Sequence, residues 1–170
     1  IVRPPGFFVS FLLAGTVIKL PTGSPAPVRA AQPAPATRVV PQASPAPTPA
    51  RLGAGTIQSV ANLYGVSPSL AAAIAWQESG FNNGMVSGAN ARGVMQVMPG
   101  TWSWVQQNLA QRRLDPSSAV DNVHAGVLYL RQLLRQTGGN ENSAIAAYYQ
   151  GLGSVQSRGM LPETQRYVAN

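Results

Sequence analysis

Proline is segregated in this chain, and that limits what each part can become. Eleven of the 15 prolines fall within the first 50 residues. Each one fixes φ and removes a backbone donor, so neither a helix nor a central strand can run through them. Residues 21–50 are mostly Pro, Ala, Ser, Thr and Arg, with no apolar periodicity. Ordering such a stretch costs chain entropy and buries little in return. Residues 22–52 are therefore predicted to be a disordered, partly polyproline Pro/Ala-rich linker. The compact domain is predicted to occupy residues 53–170.

Charge divides at the same place. Residues 1–52 carry Arg3, Lys19, Arg29, Arg38 and Arg51 and no acid, whereas residues 53–170 carry seven basic and five acidic residues, hence only +2 of the total +7. A basic tail can associate with an anionic polymer or surface, or simply keep the chain soluble. The arginines form no stripe interleaved with aromatics, so nucleic acid is not an expected partner. With no cysteine there are no disulfides, thiolate chemistry or Cys-ligated zinc. One histidine and no acidic cluster suggest no metal site, and no cofactor is expected.

Residues 7–18 are apolar, but about a dozen residues cannot cross a bilayer, which takes roughly 20. No transmembrane segment is expected. Two readings of residues 1–21 stand. Residues 12–21 resemble the closing strand of a LysM module, a small glycan-binding domain. Alternatively, residues 7–18 form the core of a secretion signal, with Val28-Arg29-Ala30 as a poor cleavage site.

The rest reads as helix. Ile57, Val60, Ala61 and Tyr64 recur at helical spacing before Gly65. Ser67-Pro68 supplies an N-cap and a first-turn proline. The helix that follows ends near Glu78-Ser79, at Gly80. Residues 82–92 read as loop and 93–98 as a short apolar turn or helix. A helix follows Pro99, and a long amphipathic one runs from about Asp121 to Gly138-Gly139. Asn142 is expected to cap a helix through Tyr149 that ends at Gly151 and Gly153. Pro162 opens the last helix. Almost nothing reads as strand, and the fold class is mainly α.

Glu78 is the residue that suggests chemistry. It ends the apolar run Leu70-Ala71-Ala72-Ala73-Ile74-Ala75-Trp76, where a carboxyl should be partly desolvated and its pKa raised. Such an acid can protonate a leaving oxygen. Three later segments join Glu78-Ser79: Gly93-Val94-Met95-Gln96, Ala147-Tyr148-Tyr149-Gln150-Gly151, and Pro162-Glu163-Thr164-Gln165-Arg166-Tyr167-Val168. In this order they resemble the soluble lytic transglycosylase family, which has a goose-type lysozyme-like fold. That family carries Glu-Ser, Gly-Leu-Met-Gln, Ala-Tyr-Asn-x-Gly and a late Glu-Thr…Tyr-Val. This chain departs from it with Val94 for Leu and Tyr149 for the usual Asn.

The resemblance implies a single-glutamate mechanism. Glu78 would protonate the glycosidic oxygen while the substrate's N-acetyl group supports the cation at C1. As a base it would then take the proton of the 6-hydroxyl, giving a 1,6-anhydro sugar. It also implies substrate-binding roles. Ser79 would orient Glu78, and Gln96 would bond an N-acetyl group or hydroxyl. Met95 would pack on a sugar face, and Tyr148 would hold the N-acetyl carbonyl. Gln150 would replace the missing Asn in part, and Glu163 would line the cleft. Tyr167 fits core or site equally. Trp76 is expected in the core, one of Trp102 and Trp104 in the groove, and His124 at the boundary. Asp115, Asp121 and Glu141 have structural explanations in a turn, a helix start and a polar loop.

The expected activity is therefore cleavage of peptidoglycan between N-acetylmuramic acid and N-acetylglucosamine, by a secreted monomer acting at the cell wall. The competing expectations are a hydrolase on the same fold and a non-catalytic wall-binding module.

Overall fold

The computed structural model describes residues 51–170. The readings of residues 1–21 as a LysM end or a signal lie outside the described residues, as does nearly all of the linker. Seven helices make up the described part: α1 (Ala54–Leu63), α2 (Pro68–Ser79), α3 (Pro99–Asn108), α4 (Ala119–Gln136), α5 (Glu141–Gln150), α6 (Leu152–Arg158) and α7 (Pro162–Ala169). Extended pairing among the described residues is limited to isolated bridges, including Arg51 with Asn82 and Arg92 with both Val86 and Val97.

α4 is the central helix. Its apolar stripe puts Val123, Val127, Leu130 and Leu133 in the core, each almost wholly removed from water. Each such side chain stabilises the fold by about 1.5–3 kcal/mol. α1, α3 and α5 pack around it, and α7 packs on α5. α1 buries Ile57, Val60 and Ala61. α2 starts on the cap from Ser67 to Leu70 N and stops at Gly80, whose φ of 59° is cheap only for glycine.

The entry of the chain is tied to the end of α2, since Leu52 N donates to Phe81 O at 3.1 Å. Arg51 and Leu52 therefore pack with the domain, two residues before the expected boundary.

Three local expectations change. The cap of α5 is Asn140, whose side chain accepts from Ser143 N at 2.8 Å; Asn142 lies exposed in the first turn. Glu141 accordingly stands in that turn rather than in a loop, where its charge suits the helix dipole. Gly151 does end α5, but its φ of 87° only redirects the chain, and α6 begins at once with Gly153 inside it.

The third change concerns Trp76. It is 60% exposed and rests against Phe81, with ring centroids 5.4 Å apart. The buried face of α2 is set by Leu70, Ala71, Ile74 and Ala75. Steps of three and four from Ala71 and Ile74 arrive at Glu78, not at Trp76. The glutamate continues the buried stripe, and the tryptophan lies off it.

Candidate active site

Because Glu78 extends the buried face of α2, its carboxyl is pushed toward the interior at the last turn. Burial raises its pKa from 4.5 to about 7, against a smaller opposing effect from a hydrogen bond with Tyr167. That bond is the donation of Tyr167 Oη to Glu78 Oε1 at 2.6 Å. Burial and the nearby Glu78 in turn push the Tyr167 phenol far above its usual range. A carboxylic acid near neutrality, held by a donor that remains protonated, can both give and take a proton.

Tyr167 reaches Glu78 because α7 is fastened at its start. Gln150 Oε1 accepts from Leu161 N at 3.0 Å and from Thr164 Oγ1 at 2.6 Å, while Gln150 Nε2 donates to Ser154 Oγ and Gly159 O, both at 2.9 Å. Gln77 Nε2 donates to Tyr167 O at 3.1 Å from the turn that carries Glu78. On the ring itself lies Tyr149, stacked at 4.4 Å with 23° between planes.

The second wall is the turn spanning residues 92–97, which is not helical. Side chains from three helices clamp its backbone. Ser79 Oγ donates to Val94 O at 2.7 Å, and Tyr148 Oη donates to Met95 O at 2.9 Å. Asn122 Oδ1 accepts from Met95 N and Asn122 Nδ2 donates to Arg92 O, both at 2.8 Å. Gln96, at a φ of 46°, turns its amide back to donate to Gly93 O and Met85 O. The close approach of Asn122 explains Gly93, where an added Cβ would lie 2.6 Å from the amide.

This geometry places the expected site residues as follows. Glu78 and Tyr148 come together: the charge of Glu78 helps raise the Tyr148 phenol, after burial. Ser79 lies beside Glu78, but its hydroxyl is bonded to the turn and to Asn82 N, not to the carboxyl. Met95 is fully buried against Gly126 rather than facing outward. Gln96 and Gln150 are both buried, with amides engaged in the fold. Glu163 is exposed in the first turn of α7. Trp102 and Trp104 are both half-buried, and Trp104 meets Tyr129 edge-on. His124 is half-buried with Nδ1 2.7 Å from Tyr64 Oη.

The other carboxylates are also accounted for. Asp121 accepts from Arg112 and from Asp115 N, and Asp115 from Ser117 N and Oγ. Glu141 is exposed like Glu163. None of the four contributes to raising Glu78. Among the described residues no group of three or more His, Cys, Asp or Glu gathers as metal ligands do.

The sequence alone assigns neither Tyr149 nor Asn122 a role in the site, and Tyr167 fits core or site equally. Asn122 had a signal: it is a polar residue amid the apolar stripe of α4. The Tyr149–Tyr167 stack had none, because it joins two helices whose packing the sequence does not show.

A helical domain that buries one acid at a helix end and frames it with a clamped turn belongs to a recognisable class. The family model for the transglycosylase SLT domain matches residues 55–167. The chain belongs to that family. It is 35% identical over 99 residues to the soluble lytic murein transglycosylase of Salmonella typhimurium, covering 54% of this chain and 15% of that protein. It is 34% identical over 126 residues to the membrane-bound lytic murein transglycosylase C of Mannheimia succiniciproducens, covering 67% of this chain and 35% of that one. Its structure is similar to that of an inactive Glu-to-Gln mutant of the lytic transglycosylase Slt from Pseudomonas aeruginosa, with a TM-score of 0.62 and 29% identity over 68% of this chain and 22% of the other. The fold is thus the mainly α, lysozyme-like one expected. The chain spans well under half the length of each of these proteins.

Proposed function

We propose that this chain is the catalytic domain of a peptidoglycan lytic transglycosylase, with Glu78 as acid and then base. The observation that carries this reading is the desolvated Glu78 carboxyl on Tyr167, poised at about 7 with no second carboxylate engaged beside it. Protonated Glu78 would donate to the glycosidic oxygen between N-acetylmuramic acid and N-acetylglucosamine. The resulting carboxylate, stabilised by the Tyr167 phenol, would accept the proton of the 6-hydroxyl as that oxygen closes on C1. The product is a 1,6-anhydro-muramyl end, and no water is consumed. The lytic transglycosylase names of the relatives, and a structural neighbour inactivated by a Glu-to-Gln change, agree with this.

In this reading residues 53–170 form the catalytic domain, and the Pro/Ala-rich residues 22–52, whose last two residues are held against it, link it to residues 1–21. The substrate is the glycan strand, and the place of action is the cell wall, reached by secretion. No described helix is long and apolar enough to cross a membrane. Ser79, Met95, Gln96, Tyr148 and Gln150 act through the frame: they hold the turn and α7 against Glu78.

The test is digestion of purified sacculi followed by mass spectrometry of the muropeptides. The transglycosylase yields anhydro ends lighter by one water; a muramidase yields reducing ends. Glu78→Gln should lose on the order of 10²–10⁴-fold in rate while remaining folded. A folded Gln variant that clears walls like the parent excludes this role for Glu78.

A further inference from the structure

We propose that Tyr149 is a positioning residue for Glu78, acting through the ring of Tyr167. The inference rests on the reading of Glu78 as the acid, but it concerns a residue that departs from the family pattern, Tyr149 standing where many members carry Asn. Tyr149 on α5 and Tyr167 on α7 are both buried in the domain, at 7% and 8% exposure. Their centroids are 4.4 Å apart and their planes 23° from parallel. The covered ring ends in the hydroxyl that holds Glu78 Oε1 at 2.6 Å. A flat aromatic surface fixes the tilt and depth of a neighbouring ring in a way that an asparagine amide cannot.

Two effects follow from removing the Tyr149 ring, and they oppose each other. A loosened Tyr167 donates less well, which disfavours the carboxylate. Water gains access to the space beside the carboxyl, which favours it. Both burial and the hydrogen bond set the Glu78 pKa, so loss of the Tyr149 ring moves the midpoint: upward where the Tyr167 bond loosens, downward where water enters. The groups facing this cluster are Tyr129 from α4, Tyr148 from α5 and Glu163, Arg166 and Tyr167 from α7, together with Glu78 from α2. None of these is changed by the substitutions below.

The experiment is a carbon-detected NMR titration of the Glu78 carboxyl in the full chain, which needs no turnover. Tyr149→Phe, which keeps the stack, should stay nearer the wild-type midpoint than either variant without the ring. Tyr149→Leu, which keeps apolar volume without a ring, and Tyr149→Asn should both titrate away from the wild-type midpoint by roughly half a pH unit or more, in either direction. Turnover at neutral pH should fall in the same order. The proposal is overturned if folded Leu and Asn variants titrate like wild type, or if the Phe variant shifts as far as they do. A wild-type chain that leaves peptidoglycan uncut would overturn the functional reading instead, and the titration would still decide whether Tyr149 controls Glu78.

Discussion

Tyr167 donates its phenolic hydrogen to Glu78 Oε1 across 89 residues of sequence, so the acid on α2 is completed by a donor on α7. A buried carboxyl held this way leaves a mark on stability. Glu78 is raised from 4.5 to about 7 on folding. Between those values the folded state binds more protons than the unfolded state, so stability falls as pH rises through the window. Glu78→Gln removes that dependence while its amide oxygen can still accept from Tyr167. The variant should match wild type near pH 4 and be the more stable near pH 8, by at most about 3 kcal/mol. Thermal melts at both pH values test this. A constant difference between the two proteins would show that the carboxyl is not desolvated.

Asp121 should matter more to stability than a helix-start charge does. Its carboxylate gathers Arg112 and Asp115 N, tying the segment after α3 to the start of α4. The hydrogen bond from Arg112 holds its pKa below the ordinary range. Its stabilisation is therefore present above the unfolded value near 3.8 and lost as pH falls through the lower folded value. Arg112 is mostly in solvent, so the ion pair is discounted and the bond to Asp115 N carries more of the effect. Asp121→Asn should cost about 1–3 kcal/mol in urea unfolding near neutral pH, with the activity of the folded protein unchanged.

Gly126 and Gly55 offer a matched contrast. A Cβ on Gly126 would lie 2.5 Å from Met95 Sδ and 2.6 Å from Met95 Cβ, whereas one on Gly55 meets nothing within 4 Å. Gly126→Ala should destabilise by about 1–3 kcal/mol and lower activity, because Met95 belongs to the clamped turn. Gly55→Ala, in the first turn of α1, should be neutral or stabilise by up to about 1 kcal/mol. If the two substitutions prove equally mild, the packing of Met95 on α4 is looser than described.

Trp76 tests where the face of α2 lies. A buried tryptophan truncated to alanine costs about 3–5 kcal/mol. The exposed Trp76 loses mainly its contact with Phe81, so Trp76→Ala should cost about 0.5–1.5 kcal/mol. Its fluorescence should also be readily quenched by iodide in the native state.

Much of this fold follows from short-range chemistry. Ser67-Pro68, Gly80 and Pro162 each mark a helix end by a local mechanism, and all three do so in the structure. Asn140 and α6 were missed for a local reason as well: two polar residues compete for one cap, and a glycine can redirect a chain without ending its helical run. The site was legible only in part. Glu78 stands out because a lone acid follows an apolar run. The motif residues Met95, Gln96 and Gln150 were expected to meet substrate, yet their side chains are buried in the frame. A motif shows which residues matter, but it does not tell whether a side chain faces the cleft or supports it. That depends on contacts such as Met95 with Gly126 and Gln150 with Thr164, between residues far apart in the chain.

The dependence of Glu78 on α7 also fixes an order of assembly. During synthesis the acid leaves the ribosome well before the segment that supplies its phenol, and the closure of so distant a contact is slow compared with local helix formation. A nascent domain would thus hold an acid that is solvated and near its ordinary pKa until α7 docks. The site matures only when α7 docks, and a helix made long after the acid sets that acid's proton affinity.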